Sequence, residues 1–296
     1  MGLPPNVEFQ LDLPNLGALF TKAHPETKGL TMNSDQLNQA PSPPVRVSVG
    51  TASFDDIKAA IAAGLRDVKA RPGLSLFFGL FYAAFGALLL AGLLVFDQIW
   101  IAIAVGVGFP LVAPFLAAGL YDISRRLKRG EAFTAKDVFL VIFDQQRRQY
   151  SWMSFVVLFI FWIWAYQVRI IIALTLFYQG FRSVEHMMEV IFTTSGGAVF
   201  LMVGTAVGAV ISTILFSITV ISMPLLLDKN VDFITAMITS VKAVFNSPIV
   251  MLGWGAAIGA VTLLAVLPGF LGVIFVFPVL GHATWHLYER LVQEEA

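Results

Sequence analysis

Six long apolar runs, separated by shorter polar segments, make up most of the chain. Each run is long enough to cross about 30 Å of hydrocarbon as a helix that rises about 1.5 Å per residue. We therefore predict an all-α fold, a six-helix transmembrane bundle within a domain spanning 73–290. The predicted spans are 74–96, 99–121, 151–172, 197–227, 249–267 and 270–287.

The positive charges orient these spans. Seven Lys and Arg precede the first span, seven lie between the second and third, two lie between the fourth and fifth, and Arg290 follows the sixth. The gaps on the other side contain only Arg182. Because Lys and Arg accumulate on the cytoplasmic side, the pattern predicts that both termini are cytoplasmic. An even number of spans agrees with this topology.

Amphipathic segments flank the spans. Residues 51–72 show apolar positions at helical spacing behind Ser53, which can cap a helix. The segments 134–149 and 231–246 show the same pattern on the cytoplasmic side, and 183–193 shows it on the outer side. We expect these helices to lie on the membrane surface and to pack against the bundle or the headgroups.

Residues 1–50 are rich in Pro, Asn, Gln and Ser, which predicts a disordered cytoplasmic tail. Met1 and Met32 are alternative starts of the native chain. No cleavable signal peptide is visible in this stretch.

An internal repeat is predicted from a shift of about 176 positions. Each unit contains a surface helix, a Pro, a span, a tight turn, a second span and a Leu-Tyr-acid string. Both units enter from the cytoplasm, so the repeat is parallel. The shift pairs Asp56 with Asp232, Pro72 with Pro248, and Gly79 with Gly255.

Composition excludes several classes of function. The chain is 57% hydrophobic and 13% charged, against about 25% charged in a soluble domain. Its formal net charge is zero, so nucleic acid is not an expected partner. It contains no cysteine, which removes thiol catalysis and Cys-held metal sites. No metalloprotease, nucleophile-elbow or phosphate-loop motif occurs, and we predict neither catalytic residues nor a cofactor.

Arg169 is the only charge well inside an apolar run, and such a charge is a functional hypothesis by default. It lies about 27 Å along the third span from Ser151, near the outer interface, where its side chain can reach headgroups. The alternative is that Arg169 faces the bundle together with Gln167.

His282 and His286 lie one helical turn apart on the sixth span. This spacing offers two nitrogens for a metal, with Asp122 or Glu289 as a third ligand. The alternative is that His282 forms hydrogen bonds within the bundle while His286 lies at the inner interface beside Trp285.

Small residues also recur every four positions within three spans. They are Gly79, Ala83, Ala87 and Ala91 in the first span, Gly204, Gly208 and Ser212 in the fourth, and Gly255 and Gly259 in the fifth. This spacing permits close helix packing or dimerisation.

Several strings resemble a bacterial family of predicted integral membrane proteins that is catalogued only as a domain of unknown function. These strings are 114–126, 224–228, 236–240, 246–248 and 278–288, so the resemblance covers about 45–290. Some members carry the label of cytochrome c oxidase subunit I. The residues exclude that catalytic role here, because only His282 and His286 among the four histidines lie in a span.

The leading hypothesis is a non-enzymatic scaffold, assembly or accessory component of a membrane complex, located in the bacterial inner membrane. The first alternative is a transporter or channel for a small or amphipathic solute. A second is an accessory protein of a respiratory oxidase. The expected partners are the lipid bilayer and a second copy of the chain or another membrane protein.

Overall fold

The computed structural model describes residues 47–95, 99–146, 149–176 and 184–294. This part of the chain is helical apart from two short strands and the connecting turns. The elements are β1 (Val47–Val49), α1 (Phe54–Ala70), α2 (Pro72–Leu94), α3 (Ile99–Arg129), α4 (Ala135–Gln146), α5 (Tyr150–Thr175), α6 (Val184–Thr193), α7 (Ser195–Thr219), α8 (Ser222–Asp228), α9 (Phe233–Asn246), α10 (Pro248–Val266), α11 (Val273–Leu291) and β2 (Val292–Glu294).

Local signals set where the helices begin. Ser53 and Asp56 form the capping box of α1, with each side chain bonded to the backbone N–H of the other residue. Asp232 caps α9, accepting from the N–H of Thr235 at 2.9 Å. Pro72 and Pro248 open α2 and α10, where the N–H that proline lacks has no partner within the helix anyway.

Six helices form a ring in the order α2, α3, α5, α7, α10 and α11, and α11 closes the ring against α2. Each contains most of one predicted span. Among the described residues, four stretches are long and apolar enough to cross a membrane: Pro72–Gly92, Tyr150–Thr175, Ser195–Asp228 and Pro248–Val266. The helices α3 and α11 are not in that group. All-α architecture is thus confirmed, whereas six crossings and the repeat stay predictions.

The predicted fourth span, 197–227, is interrupted rather than continuous. It forms α7 and α8 with a break at Val220 and Ile221. Pro224 explains the break, because it has no N–H for the carbonyl of Val220. At this break, the N–H of Ile221 donates to the hydroxyl of Ser240 in α9, at 3.1 Å.

Glycines bring α11 against its neighbours. A Cβ on Gly79 of α2 would lie 2.1 Å from the carbonyl oxygen of Ile274, and one on Gly64 of α1 would lie 2.7 Å from the amide nitrogen of Ala283. A side chain at either position would therefore push the backbones apart. We call the end of the ring where α2 begins and α11 ends the basal end.

The surface helices agree with the sequence pattern. The segments 51–72, 134–149, 183–193 and 231–246 contain α1, α4, α6 and α9 respectively. Of these, α1 packs along the basal half of α11 in the most extensive helix contact of the described chain.

The prediction of a disordered tail over residues 1–50 is wrong for its last residues. Val47–Val49 forms β1, which pairs antiparallel with β2 so that Val47 is opposite Glu294 and Val49 is opposite Val292. The alternation of Val and polar residues at 45–49 was the signal for this strand. Residues 1–46 and the predicted turn at 96–98 lie outside the described residues.

Candidate functional site

A cavity of about 620 Å³ lies inside the helix ring. This size is within the range of sites for small organic ligands, about 300–1,000 Å³. All six ring helices contribute to its wall. The lining residues are Tyr82, Phe85, Gly86 and Leu89 of α2; Phe109, Pro110 and Ala113 of α3; Val157, Ile160, Phe161 and Trp164 of α5; Ile211, Ser212 and Leu215 of α7; Thr262 and Val266 of α10; and Phe270, Val273 and Phe277 at α11.

The cavity wall is apolar. None of the described residues that line it is charged, and hydroxyl groups come only from Tyr82, Ser212 and Thr262. Of these, the Tyr82 hydroxyl already donates to the carbonyl of Ala113, at 2.8 Å. Its ring meets Phe277 edge-to-face with a centroid distance of 5.0 Å. The wall therefore offers packing surface and few hydrogen-bonding groups.

A layer of buried side chains separates the cavity from the basal end. Phe78 follows the first turn of α2 and packs on Gly119, while Leu120 packs on Gly281. Phe78, Leu116 and Leu120 are at most 7% exposed. Along both α2 and α3 these residues lie between the cavity lining and the basal polar groups, so the cavity is closed in that direction.

Phe270 covers the opposite part of the cavity. Its backbone has φ of 68° directly after Gly269, which has φ of 67°. The left-handed region costs a residue with a side chain about 1–2 kcal/mol. The ring of Phe270 occupies the space beside Gly86, where a Cβ would lie 2.1 Å from a ring atom. The strained turn therefore places an aromatic side chain over the cavity.

A buried polar cluster lies beyond the sealing layer. His282 is fully buried, and both of its ring nitrogens have partners. Its Nε2 is 2.9 Å from the hydroxyl of Ser75, and its Nδ1 is 2.7 Å from the hydroxyl of Ser124. The cluster thus links α2, α3 and α11, as one of the two sequence alternatives predicted.

His286 continues this polar chain toward the surface. Its Nε2 is 2.7 Å from a carboxylate oxygen of Asp67, and its Nδ1 is 3.4 Å from one of Glu289. Glu289 also pairs with Lys128, at 3.0 Å. With a carboxylate at each ring nitrogen, His286 attaches α1 to α11. We call Ser75, Ser124, Asp67, His282, His286, Glu289 and Lys128 the basal cluster.

Asp67 was missed by the sequence reasoning. Burial favours its protonated form, but the hydrogen bonds of His286 and Ser124 and the charge of His286 outweigh burial and lower the pKa of Asp67. A signal was present, because Asp67 follows the buried residues Ala60 and Gly64 by seven and three positions. That spacing places a carboxylate on the packed face of an amphipathic helix.

The basic segment at the end of α3 is largely neutralised within the molecule. Arg125 and Arg126 both bind Asp122, whose side chain is fully buried, at 2.5 and 2.7 Å. Arg129 pairs with Asp228 at 3.3 Å. These charges stabilise the basal end of α3, so the segment is a weaker docking surface than its sequence indicates.

Arg169 lies on the exposed side of α5. The helix continues past it to Thr175, and Gln167 is half-buried. Within the described part of the chain, no salt bridge involves Arg169. Neither side chain lines the cavity, so the structure does not bring Arg169 or Gln167 together with His282 in one site.

No group of three His, Asp or Glu side chains that could hold a metal ion occurs among the described residues. A metal bound to either ring nitrogen of His282 would have to displace the serine hydroxyl that lies at that nitrogen. Asp122, considered as a third ligand, is bound to two arginines instead.

Comparison with known proteins finds one family model that matches part of the chain, and it indicates no activity. Residues 101–228, from α3 to the end of α8, match the model of a family described as predicted integral membrane protein (DUF2189). No curated protein and no solved structure matches the chain. Together with the apolar helices, the DUF2189 match shows an integral membrane protein.

The DUF2189 match is narrower than the resemblance predicted for 45–290. It includes the string 114–126 and Pro224 to Asp228, whereas the His-containing string 278–288 lies outside it. The matched range supplies α3, α5 and α7 of the cavity wall. The other three helices of the ring, including α11 with His282, lie beyond it.

The basal cluster gives a prediction about stability. We expect His282→Phe to lower the free energy of unfolding by about 1–3 kcal/mol, because the hydroxyls of Ser75 and Ser124 lose a buried partner. Thermal unfolding in a mild detergent measures the change. Adding Ser75→Ala should restore part of the loss, since the hydroxyl that His282 partnered in α2 is then absent. A double variant less stable than His282→Phe alone would contradict this explanation.

Proposed function

We propose that this protein is a non-enzymatic membrane protein that binds an apolar or amphipathic molecule in the cavity of its helix ring. The observation that carries the proposal is the cavity itself, to which all six ring helices contribute and which no charged side chain lines among the described residues. A bundle that served only as a passive anchor has no need to keep such a space. The proposal is closer to the transporter or channel alternative from the sequence than to the scaffold.

Packing supports an occupant. Protein interiors hold few voids larger than a water molecule, so a space of about 620 Å³ calls for a molecule to fill it. The bulky aromatic side chains around the space oppose collapse.

The nature of the wall limits the occupant. A polar solute that left water for this site would lose its hydrogen bonds and regain few, at a cost of about 2–7 kcal/mol for each polar group. A hydrocarbon chain or ring incurs no such cost. One polar end could be held by the hydroxyls of Ser212 and Thr262, which both line the cavity. An amphipathic molecule with a small uncharged head therefore fits.

The proposal includes a topology in which the chain crosses the bacterial inner membrane six times and both termini are cytoplasmic. The charge distribution supports it, and so do the matching junctions before α2 and α10. Arg71 and Ser247 have nearly equal dihedral angles, φ −136° and ψ 61° against φ −146° and ψ 63°. Their carbonyls accept from Ser75 and Met251, which are also 176 positions apart. These junctions support the parallel repeat.

Cysteine labelling tests the topology. The chain has no cysteine, so single substitutions need no altered background. We expect Gly130→Cys, after α3, to react with a membrane-impermeant maleimide only when the cytoplasmic face is accessible. Pro268→Cys, between α10 and α11, should react only from the opposite face. Labelling of both from the same face would rule out the six-span arrangement.

Photolabelling tests the cavity. We expect a short aliphatic alcohol that carries a diazirine, added to the detergent-solubilised protein, to form adducts on lining residues such as Phe277. Thr262→Trp should lower this yield about tenfold, because the indole fills the space. Leu263→Trp is the matched control, because Leu263 is 71% exposed on the same helix. Equal labelling in the two variants would refute binding in the cavity.

Assembly into a membrane complex is the second candidate function, and the exposed face of α5 favours it. Trp152, Trp162 and Tyr166 are 59%, 62% and 64% exposed. Trp162 lies about 18 Å from the start of α5, far from both ends of the helix. Its indole N–H would have no acceptor in hydrocarbon. A second protein surface over this face supplies acceptors, and we propose a second copy of the chain.

The oligomeric state in lipid nanodiscs tests assembly. We expect a dimer, and we expect Trp162→Ala with Tyr166→Ala to shift it toward monomer, because aromatic anchors carry much of an interface. Leu264→Ala, at a position 66% exposed on α10, is the control and should leave the dimer unchanged. Monomeric wild-type protein at all concentrations would exclude the proposed dimer.

A further inference from the structure

The helix ring has one weak junction, between α7 and α10. Every other adjacent pair in the ring makes a broad contact, whereas α7 and α10 make the sparsest one. The contact that does exist is near the basal end, where the ring of Phe216 lies 3.3 Å from the position of a Cβ on Gly255. The cavity wall is therefore thinnest at this junction.

Beyond this contact the two helices separate. Gly259 follows Gly255 by one turn of α10, and among the described residues no atom outside the local helix lies within 4 Å of a Cβ built on it. The same is true of Gly208 on α7. Gly208 is one turn from Ser212, and Gly259 is one turn from Thr262, so both glycines lie on the helix faces that line the cavity.

We propose that the gap between α7 and α10 is a lateral entrance through which a hydrocarbon chain of a bilayer lipid enters the cavity. This inference rests on the proposed binding function and names the ligand class and its route. The inference rests on the cavity and not on the row of small residues alone. The Phe78 layer separates the cavity from the basal end, Phe270 packs beside Gly86, and every other adjacent pair of ring helices makes a broader contact than α7 and α10.

The position of the entrance indicates the chemical class of the occupant. The two flanking helices, α7 and α10, belong to the stretches apolar enough to cross a membrane. A gap between them at that level opens to the hydrocarbon of the bilayer and not to water. Among the described residues, the wall offers no cation for a phosphate and no charged group for a polar head. The acyl or isoprenoid chain of a lipid therefore enters, while its headgroup stays outside.

Photolabelling from the bilayer tests the route. The protein is reconstituted in liposomes doped with a phosphatidylcholine that carries a diazirine at the end of one acyl chain. We expect adducts on lining residues such as Val266 and Phe277, located by peptide mass spectrometry. Gly208→Trp and Gly259→Trp should each lower the adduct yield about tenfold, because an indole fills the gap. Val210→Trp, at a position 60% exposed on the other side of α7, should not.

The short diazirine alcohol, used on the same liposomes, separates this inference from the proposed function. Alcohol adducts in the cavity without lipid adducts would overturn the lipid route and leave cavity binding intact. Lipid adducts equal in the gap variants and in Val210→Trp would also overturn the lateral entrance. Absence of both kinds of adduct would refute the cavity function itself. Loss of lipid adducts in the two gap variants alone, with alcohol adducts retained, establishes the route.

Discussion

The close packing of α11 is the interaction on which the rest of the structure depends. This helix contacts α1, α2, α3 and α10, and it does so at backbone distance because Gly64, Gly79 and Gly281 present no side chain. Apolar burial does little to drive helices together within a bilayer, so van der Waals contact at such close distances and interhelical hydrogen bonds hold them. Both kinds of interaction converge on α11, through its glycine contacts and through His282.

The tight packing on one side of α11 explains the open space on the other. Helices α2 and α3 are fixed to α11 near the basal end by Phe78, Leu120 and the serine contacts of His282. Farther from the basal end, many of the side chains that face the ring interior are aromatic. Pro110 and Pro278 lie inside α3 and α11. Because proline favours a helix kink and continuous packing would require smaller side chains, these features favour a cavity at this level of the ring.

Polar and apolar regions are separated along the same helices. The ionised groups of α1, α3 and α11 pair at the basal end, where Asp67, Asp122 and Glu289 each face at least one cationic group. The ring above them has no ion pair among its described cavity-lining residues. Because a buried charge is costly without a partner, this separation keeps the cavity suited to hydrocarbon and confines the charges to one layer.

Much of the fold followed from local pattern. Caps and helical periodicity act within a few residues, so they could be recognised in the sequence. These local signals are enough to predict the N-terminal caps at Ser53 and Asp232, the prolines that begin helices at 72 and 248, and the surface helices. The break at Val220 could have been predicted from Pro224, and strand β1 from its alternation. Both were hidden, the first within a long apolar run and the second within a polar tail.

The candidate site could be predicted only in part, for a physical reason. His282 was identified as an isolated polar group on an apolar helix, but its partners Ser75 and Ser124 are more than 150 positions away. Arg169 was prominent because it is charged, yet helix direction alone could not show that it lies outside the cavity. The cavity left no sequence signal, because its lining residues are the same apolar types that fill any bundle.

The weak junction of the ring connects these observations. Among the adjacent helix pairs of the ring, α7 and α10 make the sparsest contact. Phe216 packs on Gly255 near the basal end, whereas no described atom outside the local helix lies within 4 Å of a Cβ built on Gly208 or Gly259. The same geometry that closes the cavity toward the basal surface therefore opens it toward the bilayer. A molecule that enters by this path stays in hydrocarbon throughout, and the protein needs no charged residue in the cavity to receive it.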